Sequence, residues 1–183
     1  MKIRKIYLPI IFLAALFGCS DQDIDATQTE DLNQEIYFEV SHNNSAWGTV
    51  HRGFLIDHTG AVRTYLNPAD WNISSELDKG ALSAKQIEEN IAKTQVSSVT
   101  VDASQLKALT DKIPTLSTST YTKRVQAGKD MGQTNFYAYR YDSKKDAYIP
   151  ILLSETGDWQ SQNTDKSAIE ISEWLQKIQT SIK

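Results

Sequence analysis

Residues 134 to 142 read TNFYAYRYD, and residues 147 to 153 read AYIPILL. In the first stretch Phe136, Ala138 and Arg140 alternate with Tyr137, Tyr139 and Tyr141, a period of two that a strand turns into two distinct faces. Asp142 to Asp146, DSKKD, turns the chain, so the second stretch returns as the partner strand of a hairpin. Pro150 has no N–H to give to a ladder, which predicts an edge strand or a bulge.

The same grammar appears upstream. Glu35 to Val40, EIYFEV, and Thr49 to Ile56, TVHRGFLI, are rich in β-formers, and Ala61 to Leu66, AVRTYL, follows the punctuation Asp57-His58-Thr59-Gly60. That spacing predicts a second hairpin with a four-residue loop. Alternation assigns Val50, Arg52, Phe54 and Ile56 to one face and His51, Gly53 and Leu55 to the other. Asn67-Pro68 ends the strand.

Between the hairpins the signals turn helical. Ser83 and Gln86 form a capping box, and Leu82 with Ile87 is placed as its hydrophobic staple. A second helix repeats the arrangement: Asp102 caps, Gln105 sits at the third helical position, Val101 and Leu106 staple, and Pro114 ends it. Thr115 to Thr122 reads as loop or edge strand. From about Asp165, Ala168, Ile171, Leu175 and Ile178 recur at helical spacing with Trp174 beside them. The order strands, helices, strands, helix predicts an α+β domain over residues 35–183, an antiparallel sheet built from two hairpins and packed on one face by about three helices.

The amino terminus carries a different message. Lys2, Arg4 and Lys5 precede an uncharged run from Ile6 to Phe17, too short for a confident membrane span, which needs about 20 apolar residues. A charged start, a short apolar run and a small residue before the cut describe a removable signal over residues 1–18. Leu16-Phe17-Gly18-Cys19 resembles the lipobox of bacterial lipoproteins. The resemblance implies that the Cys19 sulfur receives diacylglycerol, that its freed amine is acylated, and that the protein is anchored to a membrane without spanning it. Each buried methylene contributes about 0.8 kcal/mol, and stable attachment takes more than one chain.

Residues 19–34 then read CSDQDIDATQTEDLNQ, acidic and without a basic residue, the composition of a disordered tether. Fully stretched it reaches roughly 50 Å. The acids behind the cysteine also resemble surface-export signals on lipoproteins of some Gram-negative bacteria, and Ser20 stands where an inner-membrane retention cue would place Asp. The expected location is the outer membrane, facing the surface.

Composition narrows the chemistry. Losing the signal removes three of nineteen basic residues and none of the 23 acids, taking the net charge from −4 to −7. Such a balance disfavours nonspecific nucleic-acid binding. Cys19 is the only cysteine, so once lipidated no thiol remains for a disulfide, a zinc cluster or a nucleophile.

Catalytic signals are weak. His42, His51 and His58 lie close in sequence to Asp57 without an HExxH spacing, and ordinary surface or hydrogen-bonded histidines account for them. No G-x-S-x-G elbow is present, and Ala127 to Gly132, AGKDMG, lacks the phosphate-loop spacing. No metal and no cofactor is expected. The aromatics carry more interest: Trp47, Trp71, Trp159, Trp174, and the row Tyr137, Tyr139 and Tyr141. A half-buried sheet puts such rings into its core, whereas a row facing outward beside Trp47 or Trp71 would form an amphipathic platform for a glycan or a partner protein.

The leading expectation is therefore a nonenzymatic binding module on a lipid anchor. An envelope hydrolase acting on peptidoglycan or polysaccharide, with His51 and Asp57 as acid–base pair, is the alternative, and an inhibitor or immunity-type lipoprotein is the third class.

Overall fold

The computed structural model describes residues 34–73 and 80–182, so the expected signal segment, Cys19 and all but the last residue of the expected tether lie outside the described residues. That last residue, Gln34, already belongs to the domain. It is 2% exposed, its amide donates to the Ile36 and Tyr139 carbonyls (2.7 and 3.0 Å), and its oxygen accepts from the Tyr141 N–H.

Nine strands form the sheet: β1 (Ile36–Asn44), β2 (Val50–Asp57), β3 (Ala61–Leu66), β4 (Leu82–Ser83), β5 (Gln95–Thr100), β6 (Val125–Gln126), β7 (Gln133–Asp142), β8 (Ala147–Gly157) and β9 (Trp159–Gln162). Their spatial order is β5-β3-β2-β1-β7-β8-β9-β6, with β4 beside β8, and all the pairings are antiparallel. Three helices complete the α+β domain: α1 (Ala84–Ile91), α2 (Ala103–Thr110) and α3 (Lys166–Ser181). None of the described helices is long and apolar enough to cross a membrane.

Both expected hairpins are present, β2 with β3 and β7 with β8. The sheet is nevertheless larger than two hairpins. β1 joins them through its registers Val40↔Phe54 and Val40↔Phe136, while β5 extends one edge and β9 with β6 the other. Pro150 pairs with Tyr139 on the β7 side. On its other side it falls in the gap between the short ladders to β4 and β9, where no ladder calls for an N–H. Residues 115–122 are largely loop, with one bridge from Tyr121 to Asn163.

The helices do not share one face, which corrects the expected arrangement. On the first face Phe38, Phe54, Phe136, Ile151 and Leu153 meet α2, a 3₁₀ turn at Ile113–Thr115, and Ile171, Trp174 and Leu175 of α3. On the second face Leu55, Tyr137, Tyr139, Tyr148 and Leu152 meet Leu82 and Ile87, with Trp71 and Ile91 packed at the margin. Each large apolar side chain withdrawn from water contributes about 1.5–3 kcal/mol. An antiparallel sheet buried on both faces needs cover on both, and α1 supplies the second.

The caps follow the expected chemistry. Ser83 and Gln86 make the reciprocal capping box at α1, and Asp102 accepts from the Ser104 and Gln105 N–H groups at α2. Asp165 caps α3. An irregularity in register between Ile36 and Phe38 puts Ile36 with the second-face cluster and Phe38 with the first, although two residues separate them.

Candidate functional site

The aromatic row of β7 faces inward. Tyr137 and Tyr139 are buried and cannot form the exposed platform that their alternation allowed. The reason is the cover over the second face, where α1 and Trp71 close what a sheet open on one side would leave wet. Tyr141 is half-buried at the hairpin end. Its hydroxyl donates to Asp146 at 2.6 Å, a bond that pushes its pKa up to about 12.

Around Tyr139 the second face holds a buried carboxyl, Glu39, 4% exposed and with no cation beside it among the described residues. Tyr65 donates to it at 2.9 Å, Tyr139 also donates, and the Trp71 indole N–H favours its charge. Burial pushes the Glu39 pKa up, outweighing those three groups. Burial and then the Glu39 charge push Tyr65 up as well. Gly53 makes this packing possible. A Cβ there would overlap the Val40 carbonyl and lie 2.6 Å from the Tyr65 hydroxyl, so only glycine lets the ring lie across β2. Trp71 in turn lies over Tyr65, ring centroids 4.1 Å apart.

The histidines do not converge. His51 contacts Ser41 (3.3 Å) and the rings of Tyr65 and Trp71, and burial lowers its pKa. His42 bonds Thr134, and His58 lies 3.6 Å from Glu35. Asp57 sits at the other end of β2 from His51, six residues or about 20 Å of extended strand away. There it organises a turn: it accepts from Thr59, the Ala61 N–H and Arg63 (2.6 Å). Burial works against its charge, and those bonds outweigh it, so its pKa falls. The acid–base pair expected for a hydrolase is therefore not assembled. Among the described residues no group of three or more His, Cys, Asp or Glu side chains is placed to hold a metal.

A built surface site lies elsewhere, at the end of the sheet where β1 finishes and β7 begins. A pocket of about 380 Å³ opens there between Asn43, Asn44, Gln133, Asp158, Trp159 and Arg124. Gly132, at φ 77°, forms part of its wall, and a Cβ at that residue would come within 2.6 Å of the Asn43 carbonyl. The small residue lets β1 and the β7 approach close together.

Its polar groups are held rigidly. Arg124 clamps the buried Glu155 with two bonds, 2.6 and 3.0 Å, which raise the arginine pKa. Ser161 and Gln133 complete the carboxylate's shell. The Gln133 side chain also donates to the Trp159 carbonyl and accepts from its N–H, both at 3.0 Å, acting as one more rung of ladder. Asp158 accepts from the Met131 N–H. The Arg124 guanidinium stands 4.6 Å from the Trp159 ring centre, and the indole keeps 38% of its surface exposed.

Trp47, 87% exposed, projects from the connection next to Asn44–Ala46. Of the residues expected at a site, Trp47 alone adjoins this pocket; Trp71 belongs to the Glu39 cluster. Trp159 stood out only as one of the aromatics, and its grouping with Arg124 and Gln133 was not legible. The available signal was the break at Gly157-Asp158-Trp159 facing the glycine-flanked loop of residues 128–133. No protein-family model, curated protein or solved structure matches the chain.

Proposed function

We propose that the chain is a lipid-anchored cell-envelope protein, attached through Cys19 to the outer membrane and facing the surface, whose domain binds a glycan in the Trp159 pocket without catalysis. The observation that carries the binding reading is the composition of the pocket. The Asn43 and Asn44 amides and the Asp158 carboxylate, each with capacity left beyond its internal hydrogen bonds, offer donors and acceptors of the kind sugar hydroxyls take up, on a floor that Gln133 holds in place. The Trp159 indole offers a flat apolar surface for the C–H face of a sugar ring. The volume is within the usual range for small-ligand sites, roughly 300–1,000 Å³. Exposed Trp47 follows the lining residue Ala46 in the chain.

The path of the chain supports the anchored arrangement. Gln34 leads into one end of β1 and the pocket lies at the other, so a tether entering at Gln34 leaves the pocket on the far side of the domain. At about 3.4 Å per residue the nine residues of β1 set the two roughly 30 Å apart.

A glycan array probed with the full-length chain in detergent tests the reading. Binding to a defined set of glycans, weakened at least tenfold by Trp159→Ala with the thermal transition retained, is the expected outcome. No glycan bound, or binding indifferent to Trp159, overturns it. Mass spectrometry of the mature amino terminus tests the anchor separately, by the acyl mass on Cys19.

A further inference from the structure

A second depression, about 610 Å³, lies on the α3 face of the sheet, separate from the Trp159 pocket and independent of the glycan reading. Its floor is apolar, formed by Val40 and Phe54, and Leu66 and Ile182 flank it. Leu66 is 70% exposed and extends the apolar lining to the edge of the groove.

Over this floor stands Arg52. The other arginines of the described residues are held by protein acceptors: Arg63 by Asp57, Arg124 by Glu155, Arg140 by the Ile113 and Leu116 carbonyls. Among the described residues Arg52 has no such acceptor, so its five donors face the groove and solvent. The groove also lacks any carboxylate among its lining residues, in a chain with 23 acids and 19 bases. The other titratable groups lining it, among the described residues, are Tyr65, whose hydroxyl donates to Glu39, and His42, bonded to the Thr134 hydroxyl and pushed toward its neutral form by burial and by Arg52. A cation with no counter-charge among the described residues, beside an apolar trough, is complementary to an anion that carries an apolar body.

We propose that this groove is a binding site for a small amphipathic oxyanion, a carboxylate or phosphate head paired with the Arg52 guanidinium and an aliphatic body lying on Val40, Phe54 and Leu66. Guanidinium presents a fork of parallel N–H donors that matches either head group.

Isothermal titration of the full-length chain with decanoate, decyl phosphate, decan-1-ol and acetate, each below its micellar concentration, tests it. One or both amphipathic anions bind, and the tighter of the two identifies the head group. Decan-1-ol and acetate each bind at least tenfold more weakly, because each lacks one half of the recognised chemistry. Arg52→Gln weakens the anion at least tenfold and leaves the alcohol unchanged, and Leu66→Asn weakens the anion as well. Both residues are exposed, so the fold tolerates the changes, and a thermal transition matching the parent verifies it. Failure of both anions to bind, equal affinity for decan-1-ol, or an Arg52→Gln variant that binds the anion as the parent does would overturn the assignment. Loss of glycan binding in Trp159→Ala with the anion still bound keeps the two sites distinct.

Discussion

The two faces of the sheet are built from alternate residues of the same strands, yet they are stabilised differently. On the first face two helices and a 3₁₀ turn cover aliphatic and phenyl side chains, and Phe38 meets Trp174 edge to face at 5.3 Å. The indole Nε1 of Trp174 is buried there with no hydrogen-bond partner. On the second face one short helix covers tyrosines, whose hydroxyls must find acceptors, and the face provides Glu39 for two of them. The Trp71 indole there favours the charge of the same carboxyl. Where cover is continuous and apolar, packing does most of the holding, beside a buried Ser154–Ser172 hydrogen bond between β8 and α3, and an unpaired N–H costing about 1–3 kcal/mol is outweighed. Where cover is short and the rings are polar, a buried hub of hydrogen bonds does part of the holding, and that makes the second face sensitive to pH.

The comparison can be broken most severely at Gly53. Gly53→Ala pushes β2 against the Val40 carbonyl and displaces Tyr65, and since the nearest of the three clashing atoms is backbone, no rotamer change relieves it. Destabilisation of about 4 kcal/mol or more is expected, read as loss of a cooperative urea transition; a loss under about 1 kcal/mol would remove Gly53 from the account. On the first face Ile171→Ala leaves a cavity under α3 and costs about 3 kcal/mol, equally at pH 5 and pH 7. A pH-dependent cost there would erase the contrast between faces.

Glu39→Gln sharpens it. The Glu39 pKa is raised on folding, so the native state keeps a proton that the unfolded chain releases. Stability from this group is therefore full below the unfolded value of about 4.3 and declines as pH rises toward the native pKa. The glutamine variant has no such decline. Its stability relative to the parent should improve between pH 4 and pH 7, and urea midpoints that stay parallel across that range would refute the raised pKa. The smallest change is Trp71→Phe, which keeps a ring over Tyr65 but removes the N–H that favours the Glu39 charge, at a cost of about 1 kcal/mol.

Much of this architecture was legible in residue order. The caps at Ser83 and Asp102 and the hairpins at Asp57–Gly60 and Asp142–Asp146 are local chemistry, settled within a few positions of one another. The two-residue strands β4 and β6 were not legible, nor was β5, because QVSSVT has few apolar residues and lies on the sheet edge, largely exposed. The Trp159 pocket was illegible for another reason. Its members come from β1, the segment around Arg124, and the β7 and β8 ends, more than a hundred residues apart in the chain.

What the sequence determined by itself is the alternation of β7, the caps and turns, and an α+β composition. All follow from forces that act between near neighbours. Which face of β7 meets solvent was decided only by the tertiary structure. Alternation distinguishes two sides of a strand, but only the layer that packs against each side gives it a dielectric environment. Placing α1 and Trp71 over the second side decided between core and platform, and made the aromatic row the surroundings of a buried acid.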